Sequence, residues 1–263
     1  MIFSSGLGVV VLDLETAKSA DDCLHCGQSV HAHLPHTPQS PGRKCFAGST
    51  SGRGFEAIGW DNKLALGLRI GCYYDYRDDI IHWFDVHTLE EMVRRFVETA
   101  PLLVSFNGIR FDFPLICELL KSHANSMLRE EITNAEYAYE SNAASSGEMR
   151  CAALVSLCDT FAVQSALSYD ILNEIWKVDP VRKFARGLNS LDAIARANGL
   201  GGKLGHGADA PRQWGRAEYA RVLNYCQDDV LKTKALFEQI VHTGSILRGD
   251  NVGIRLPNPL SQT

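Results

Sequence analysis

The chain has 263 residues, a formal net charge of −5 and 45% hydrophobic residues. That length suffices for one large α/β domain, or for a domain carrying an insertion, and the charge excludes a global basic field, so local Lys and Arg must hold any polyanionic partner. No apolar run approaches the ~20 residues of a membrane-spanning helix, the stretch Met1 to Gly6 lacks a charged leader, and eight cysteines in a chain this long do not form a disulfide scaffold, so a cytoplasmic, reducing setting without membrane contact is expected.

In chain order, Val9-Val10-Val11-Leu12-Asp13-Leu14-Glu15-Thr16 is an apolar, β-branched run, the pattern of a strand buried on both faces. Asp13 and Glu15 stand at i and i+2, so their carboxylates share one face. Like charges held side by side repel and cost desolvation. A divalent cation relieves both costs, because hard cations take carboxylate oxygens. The bland alternative is a strand end whose acids face water.

Residues 23–57 change character, with three Cys and four His among Pro, Gly and Ser. Such a segment cannot bury a core unaided. Cys23-x-x-Cys26 is one edge of a tetrahedral zinc site. Cys45 is the candidate third ligand, and one of His31, His33 and His36 the fourth, with His33 taken as the candidate. A structural zinc would fold the insertion by metal binding. The alternative is a flexible polar insertion with incidental Cys and His.

Regular structure resumes at Trp60. Leu64 to Tyr76 reads as a strand and Ile80 to Val86 as its hairpin partner, with a turn at Asp78-Asp79. Thr88 and Glu91 have the spacing of a capping box for a helix with the stripe Leu89, Met92, Val93, Phe96, Val97. Leu102 to Phe106 reads as a buried strand that runs into Asn107-Gly108. Asp112 then sits where a helix begins, a strand-to-helix junction at which open α/β sheets build their sites; a plain helix cap is the competing reading. Residues 121–150 read as a weak helix and a loop. Leu154 to Leu157 reads as a short strand ended by Asp159, a ligand or, more simply, a cap. Tyr169 to Trp176 reads as helical.

Arg182-Lys183-Phe184-Ala185-Arg186 is the clearest basic patch with an aromatic, a phosphate-backbone contact or a solvated charge run. Ser190 or Asn189 caps a helix over Leu191 to Ala197. The Gly-rich loop that follows, with Lys203, lacks Walker spacing and follows no strand, which rejects a P-loop; Lys203 remains a candidate phosphate contact. The last long helix is expected over Arg216 to Val241. There Tyr225 and Asp229, at i and i+4, share a face, while Asp228 is rotated ~100° away. The segment from Gly249 reads as irregular.

Asp13-x-Glu15, Asn107-x-x-x-Phe111-Asp112 and Tyr225-x-x-x-Asp229, in that order, resemble the three exonuclease motifs of the DEDD superfamily. Tyr225 four residues before Asp229, with Asn224 where the other branch has histidine, resembles the tyrosine branch. Within it the chain is similar to stand-alone exonucleases related to the exonuclease domain of family B DNA polymerases, over roughly residues 7–22 and 60–247. The resemblance implies a ribonuclease H-like fold: a mixed central sheet flanked by helices, spanning 1–250, with the Cys/His-rich insertion 23–57 after the first strand and an irregular tail over 251–263. It implies a 3′-5′ exonuclease that releases 5′-nucleotides from single-stranded nucleic acid, DNA favoured, with a role in DNA repair. Asp13, Glu15, Asp112 and Asp229 would bind two Mg²⁺ or Mn²⁺ ions, and Tyr225 would orient the attacking water. Thr16, Asn107, Phe111, Arg182, Lys183 and Lys203 would contact a strand with a free 3′ end, presented by a polymerase or helicase. Two other classes fit the same residues: a catalytically silent nucleic-acid adaptor with a zinc module, and a structure-specific endonuclease on the same fold.

Overall fold

A computed structural model describes residues 8–24, 57–137, 144–185, 187–205 and 207–261. Its centre is β1 (Val9–Thr16), flanked on one side by antiparallel β2 (Leu68–Asp75) and β3 (Ile80–Phe84), and on the other by parallel β4 (Leu102–Ser105) and β5 (Tyr169–Asp170), in the order β3-β2-β1-β4-β5. The mixed α/β sheet matches the expected layout.

The alternation of β1 sorts its side chains onto two cores. Val10, Leu12 and Leu14 pack with α2 (Leu89–Thr99), α3 (Asp112–Tyr137) and α4 (Ala144–Ala166), against Phe96, Leu115, Leu120 and Phe161. Val9 and Val11 face α8 (Tyr219–Thr243), through Cys226, Val230, Phe237 and Ile240. Asp13 and Glu15 continue the second row, so the strand aims both carboxylates at α8.

Several sequence expectations are corrected. Leu64 to Tyr76 is not one strand: α1 (Lys63–Leu66), capped by Asn62 Oδ1 accepting from the Ala65 N–H, precedes β2, and Gly67 with φ 63° makes the change of direction. The Thr88 capping box does not form. Thr88 turns its hydroxyl back to Asp85, whose Oδ1 accepts it at 3.1 Å together with the N–H groups of His87 and Thr88. The strand expected at Leu154 to Leu157, and the part of the expected loop from residue 144 on, are helix α4. Leu154, Leu157, Cys158 and Phe161 have the i, i+3, i+4, i+7 spacing of its buried stripe, and Asp159 is exposed on the opposite face.

Tyr169-Asp170 is a strand rather than the start of a helix. Asp170 then caps α5 (Ile171–Val178) by accepting the Asn173 N–H at 3.0 Å. The helix α6 (Leu191–Ala197) forms as expected, capped by Ser190. The last long helix starts later than expected, after α7 (Ala210–Gly215). The segment from Gly249 is not irregular, since β6 (Ser245–Leu247) and β7 (Gly253–Arg255) form a hairpin. In the turn between them the fully buried Arg248 donates to Asp179 and Asp250.

Of the expected zinc ligands, Cys26, His33 and Cys45, with the alternatives His31 and His36, lie outside the described residues. Cys23 is buried and pairs with Ala57 in an isolated β-bridge, which holds these two positions side by side. Among the described residues, no helix is long and apolar enough to cross a membrane.

Candidate active site

A cleft of about 670 Å3 opens where β1, β4, α5 and α8 meet, and Asp13, Glu15, Asp112, Tyr225 and Asp229 all line it. Three separate chain segments deliver these side chains: β1, the start of α3, and one face of α8. Glu15, Asp112 and Asp229 are buried, and Asp13 is half-buried. Asp228, one residue from Asp229, points elsewhere and pairs with Lys232, as its helical rotation predicts.

The Asp112 arm rests on a buried anchor. Asp170 lies at the end of β5 and accepts hydrogen bonds from the Ser105 hydroxyl at 3.2 Å and from the N–H groups of Asn107 at 3.1 Å and Ile109 at 3.0 Å. Asn107 has φ 74°, the left-handed turn that lets β4 bend into α3. Gly108 is needed for close approach: a Cβ there would stand 2.6 Å from the Ser105 side chain and 3.2 Å from Asp112 Oδ2.

Burial and mutual repulsion raise the acids. Asp13 is held well above the usual carboxylate range, first by burial and then by Asp229, Asp112 and Glu15. Glu15 is raised by burial and Asp229. Asp112 is pushed up to about 8, by burial and then by Asp170. Asp229 is raised by burial, against Lys203 and Tyr225, whose hydrogen bonds favour its ionised form. Burial and Asp229 push the Tyr225 phenol up, so it keeps its proton.

A lysine stands among these acids. Lys203 Nζ donates to Asp229 Oδ2 and to the Tyr225 hydroxyl, at 2.9 Å from the latter. Its backbone N–H is fixed on Asp192 Oδ1 at 2.6 Å. Burial disfavours the charged amine, but Asp229, Asp13 and Glu15 outweigh it and raise its pKa. The acids do not close into a cage: among the described residues, no three His, Cys, Asp or Glu side chains are grouped tightly enough to hold a metal ion. Asp229 Oδ1 is nonetheless buried with no hydrogen-bond partner, a cost that a polar interior normally avoids. Buried, oxygen-only ligands with one orphaned lone-pair atom fit a hard divalent cation.

The other expected contacts divide. Asn107 and Phe111 line the cleft, and Lys63 sits over the Phe111 ring at 4.2 Å. Thr16 lines it too, with its hydroxyl donated to the Lys18 carbonyl at 2.8 Å. Lys183 stands at the rim over the ring of Trp176, 4.9 Å from its centroid. Arg182 is not brought into the cleft; it faces Asp250 at 3.5 Å. Sequence reasoning missed Trp60, Lys63, Arg110 and Trp176, which also line the cleft, and Asp170 beneath it. Asp170 had a readable signal, an Asp before the apolar run Ile171-Leu172 with a free N–H three residues on. Nothing in the spacing marked the other four.

An α/β sheet with acids from three segments gathered at the carboxyl end of β1 defines the class of site. Residues 84–252 match the sequence model of a family described as a predicted 3′-5′ exonuclease related to the exonuclease domain of PolB. The match spans well over half of the chain, and the chain belongs to that family. It takes in Asp112, Lys203, Tyr225 and Asp229 and begins after β1, so Asp13 and Glu15 join the site through the sheet. No curated protein and no solved structure matches the chain.

Proposed function

We propose that this chain is a metal-dependent 3′-5′ exonuclease with a ribonuclease H-like fold, acting on single-stranded nucleic acid, DNA favoured, and releasing 5′-nucleotides. The observation that carries the reading is the convergence of Asp13, Glu15, Asp112 and Asp229 on one cleft, with Tyr225 beside them and Asp229 Oδ1 unpartnered. Asp13, Glu15, Asp112 and Asp229 would hold two Mg²⁺ or Mn²⁺ ions. Bound there, the ions would supply neutralisation of the carboxylates, activation of a water and stabilisation of the leaving oxygen.

The chain's own residues do the rest. Tyr225, which keeps its proton and stands one helical turn before Asp229, orients the attacking water. Asn107 and Phe111 hold the terminal nucleotide, which places its phosphodiester over Asp112. Lys203 leaves the acids and takes a phosphate oxygen, which keeps its charge paired throughout.

The test is hydrolysis of a 5′-labelled single-stranded DNA oligonucleotide and its RNA counterpart, in Mg²⁺ or Mn²⁺ and in EDTA, beside Asp13→Asn. The expected result is a ladder that shortens from the 3′ end, needs the cation, leaves circular DNA intact and falls at least ~1,000-fold in the variant. Undiminished cleavage by purified Asp13→Asn overturns the reading, and cleavage of circles makes the enzyme an endonuclease.

A further inference from the structure

Arg110 and Phe111 are neighbours in the turn that precedes Asp112, and the fold sends them to different walls of the cleft. Phe111 joins Trp60 and Lys63: the Trp60 ring, 54% exposed, meets it edge-on at 5.7 Å. Arg110 joins α5: its guanidinium carbon lies 4.5 Å from the centre of the Trp176 ring. Lys183 Nζ approaches that same ring, and its carbonyl is held by the buried Asn189, whose Nδ2 donates to Lys183 at 3.3 Å and to Arg182 at 2.8 Å.

The Phe111 wall has a use in the hydrolysis proposed above, and the Arg110 wall has none. Arg110 is exposed and makes no ion pair among the described residues. Its contact with the Trp176 ring contributes only modestly to stability at an exposed site, and it holds the guanidinium plane at the mouth of the cleft. A guanidinium packed on an indole is, however, a platform that a nucleobase can extend, because unpaired bases stack on aromatic rings and on Arg planes alike. Two cations beside the ring suit the phosphates on either side of that base.

We propose that Arg110 and Trp176, with Lys183 beside them, form a second base-stacking subsite, which takes the penultimate nucleotide of an unpaired 3′ strand. This rests on the exonuclease reading of the same cleft, but its binding step needs no hydrolysis. Arg110, Trp176 and Lys183 offer a face and charge rather than a fixed donor–acceptor pattern, so the subsite tolerates any base. A base inside a duplex has both faces covered by its neighbours, so the end must be open by two nucleotides to reach it.

The experiment is fluorescence anisotropy with a 5′-fluorescein oligo(dT) that carries 3′-terminal phosphorothioate linkages to slow cleavage, in Mg²⁺. A second probe lacks only the penultimate base. The wild-type chain should bind the second probe about 10- to 100-fold more weakly, the fold-change of about 1–3 kcal/mol per stacked base. Trp176→Ala and the exposed Arg110→Ala should bind both probes alike, near the wild-type affinity for the abasic one. Lys183→Ala should weaken both equally and lower the salt slope by about one. Equal wild-type binding of the two probes, or a full penalty retained in a folded Arg110→Ala, overturns the subsite. A penalty without hydrolysis of any unmodified strand overturns the exonuclease reading instead, and hydrolysis without a penalty overturns only the subsite.

Discussion

Lys203 Nζ is hydrogen-bonded to Asp229 Oδ2, so a lysine ammonium stands in the acid cluster where a divalent cation would be expected. Its side chain is 21% exposed and that of Asp229 4%, so water screens the pair little. Removing one partner of a buried pair leaves the other charge uncompensated, at about 3–5 kcal/mol. Lys203→Met should therefore lower the unfolding temperature of the protein in EDTA, and Mg²⁺ should recover most of the deficit, because a ligand that binds only the native state stabilises it. Thermal unfolding of both proteins in both buffers checks this. An equal deficit with and without Mg²⁺ would show that Lys203 acts on packing and not on the acids.

The raised acids fix a pH dependence with an unusual sign. Unfolded carboxyls titrate near ~4, while Asp112 titrates at about 8 in the fold and Asp13 and Glu15 are well raised. Between those values the native state binds more protons than the unfolded chain. Stability then falls as pH rises. The metal-free protein should be more stable at pH 5 than at pH 8, and Asp112→Asn should flatten the slope. Urea unfolding across that range in EDTA measures it, and stability that climbs from pH 5 to 8 contradicts it. Mg²⁺ should shrink the dependence and release protons on binding.

The candidate site was legible because its parts are local: Asp13-x-Glu15 follows strand period, Tyr225 and Asp229 follow helix period, and Asp112 marks a junction. Leu154 to Leu157 was misread because a stretch of four residues carries no period of its own; the stripe that decides them runs on to Phe161 and needs α3 as its partner. Asp170 was missed since a two-residue strand is defined by its neighbour β4 and not by its sequence. Trp60 and Trp176 are far apart in the chain, and each alone is an ordinary aromatic, the first exposed and the second partly buried. Only the fold brings them to one cleft. Lys203 was read as a phosphate contact, and its partnership with Asp229 had no sequence signal at all.

Tyr225 and Asp229 share a face of α8 but carry different loads. Tyr225→Phe removes one hydroxyl, which accepts from Lys203 at 2.9 Å, and leaves the ring packing in place. Its cost should be about 10- to 100-fold in kcat. Asp229→Ala removes a proposed cation ligand and should cost ~1,000-fold or more. Single-turnover rates on the same oligonucleotide at saturating Mg²⁺ separate the two. Equal losses would contradict a water-orienting role for the phenol.

Asp170 is 1% exposed and its carboxylate accepts from Ser105, Asn107, Ile109 and Asn173, so it ties β4, the Asn107 turn and α5 to one point. Hydrogen bonds to a charged group contribute about 1.5–3 kcal/mol each and are not additive. Asp170→Ala should cost about 3–5 kcal/mol of stability, a fall on the order of 10 °C in unfolding temperature. It should also cost ~100-fold in activity, since the turn that carries Asn107, Phe111 and Asp112 loses its anchor. Asp170→Asn keeps an acceptor oxygen and removes the charge, which after burial is the main cause of the raised Asp112 pKa. That variant turns an NH2 group toward two of the four donors, so it should also lose stability, though less than Asp170→Ala, and it should shift the acid limb of its pH–rate profile to lower pH, because Asp112 ionises more readily. An acid limb that stays in place or moves to higher pH would show that Asp170 does not set the charge of Asp112.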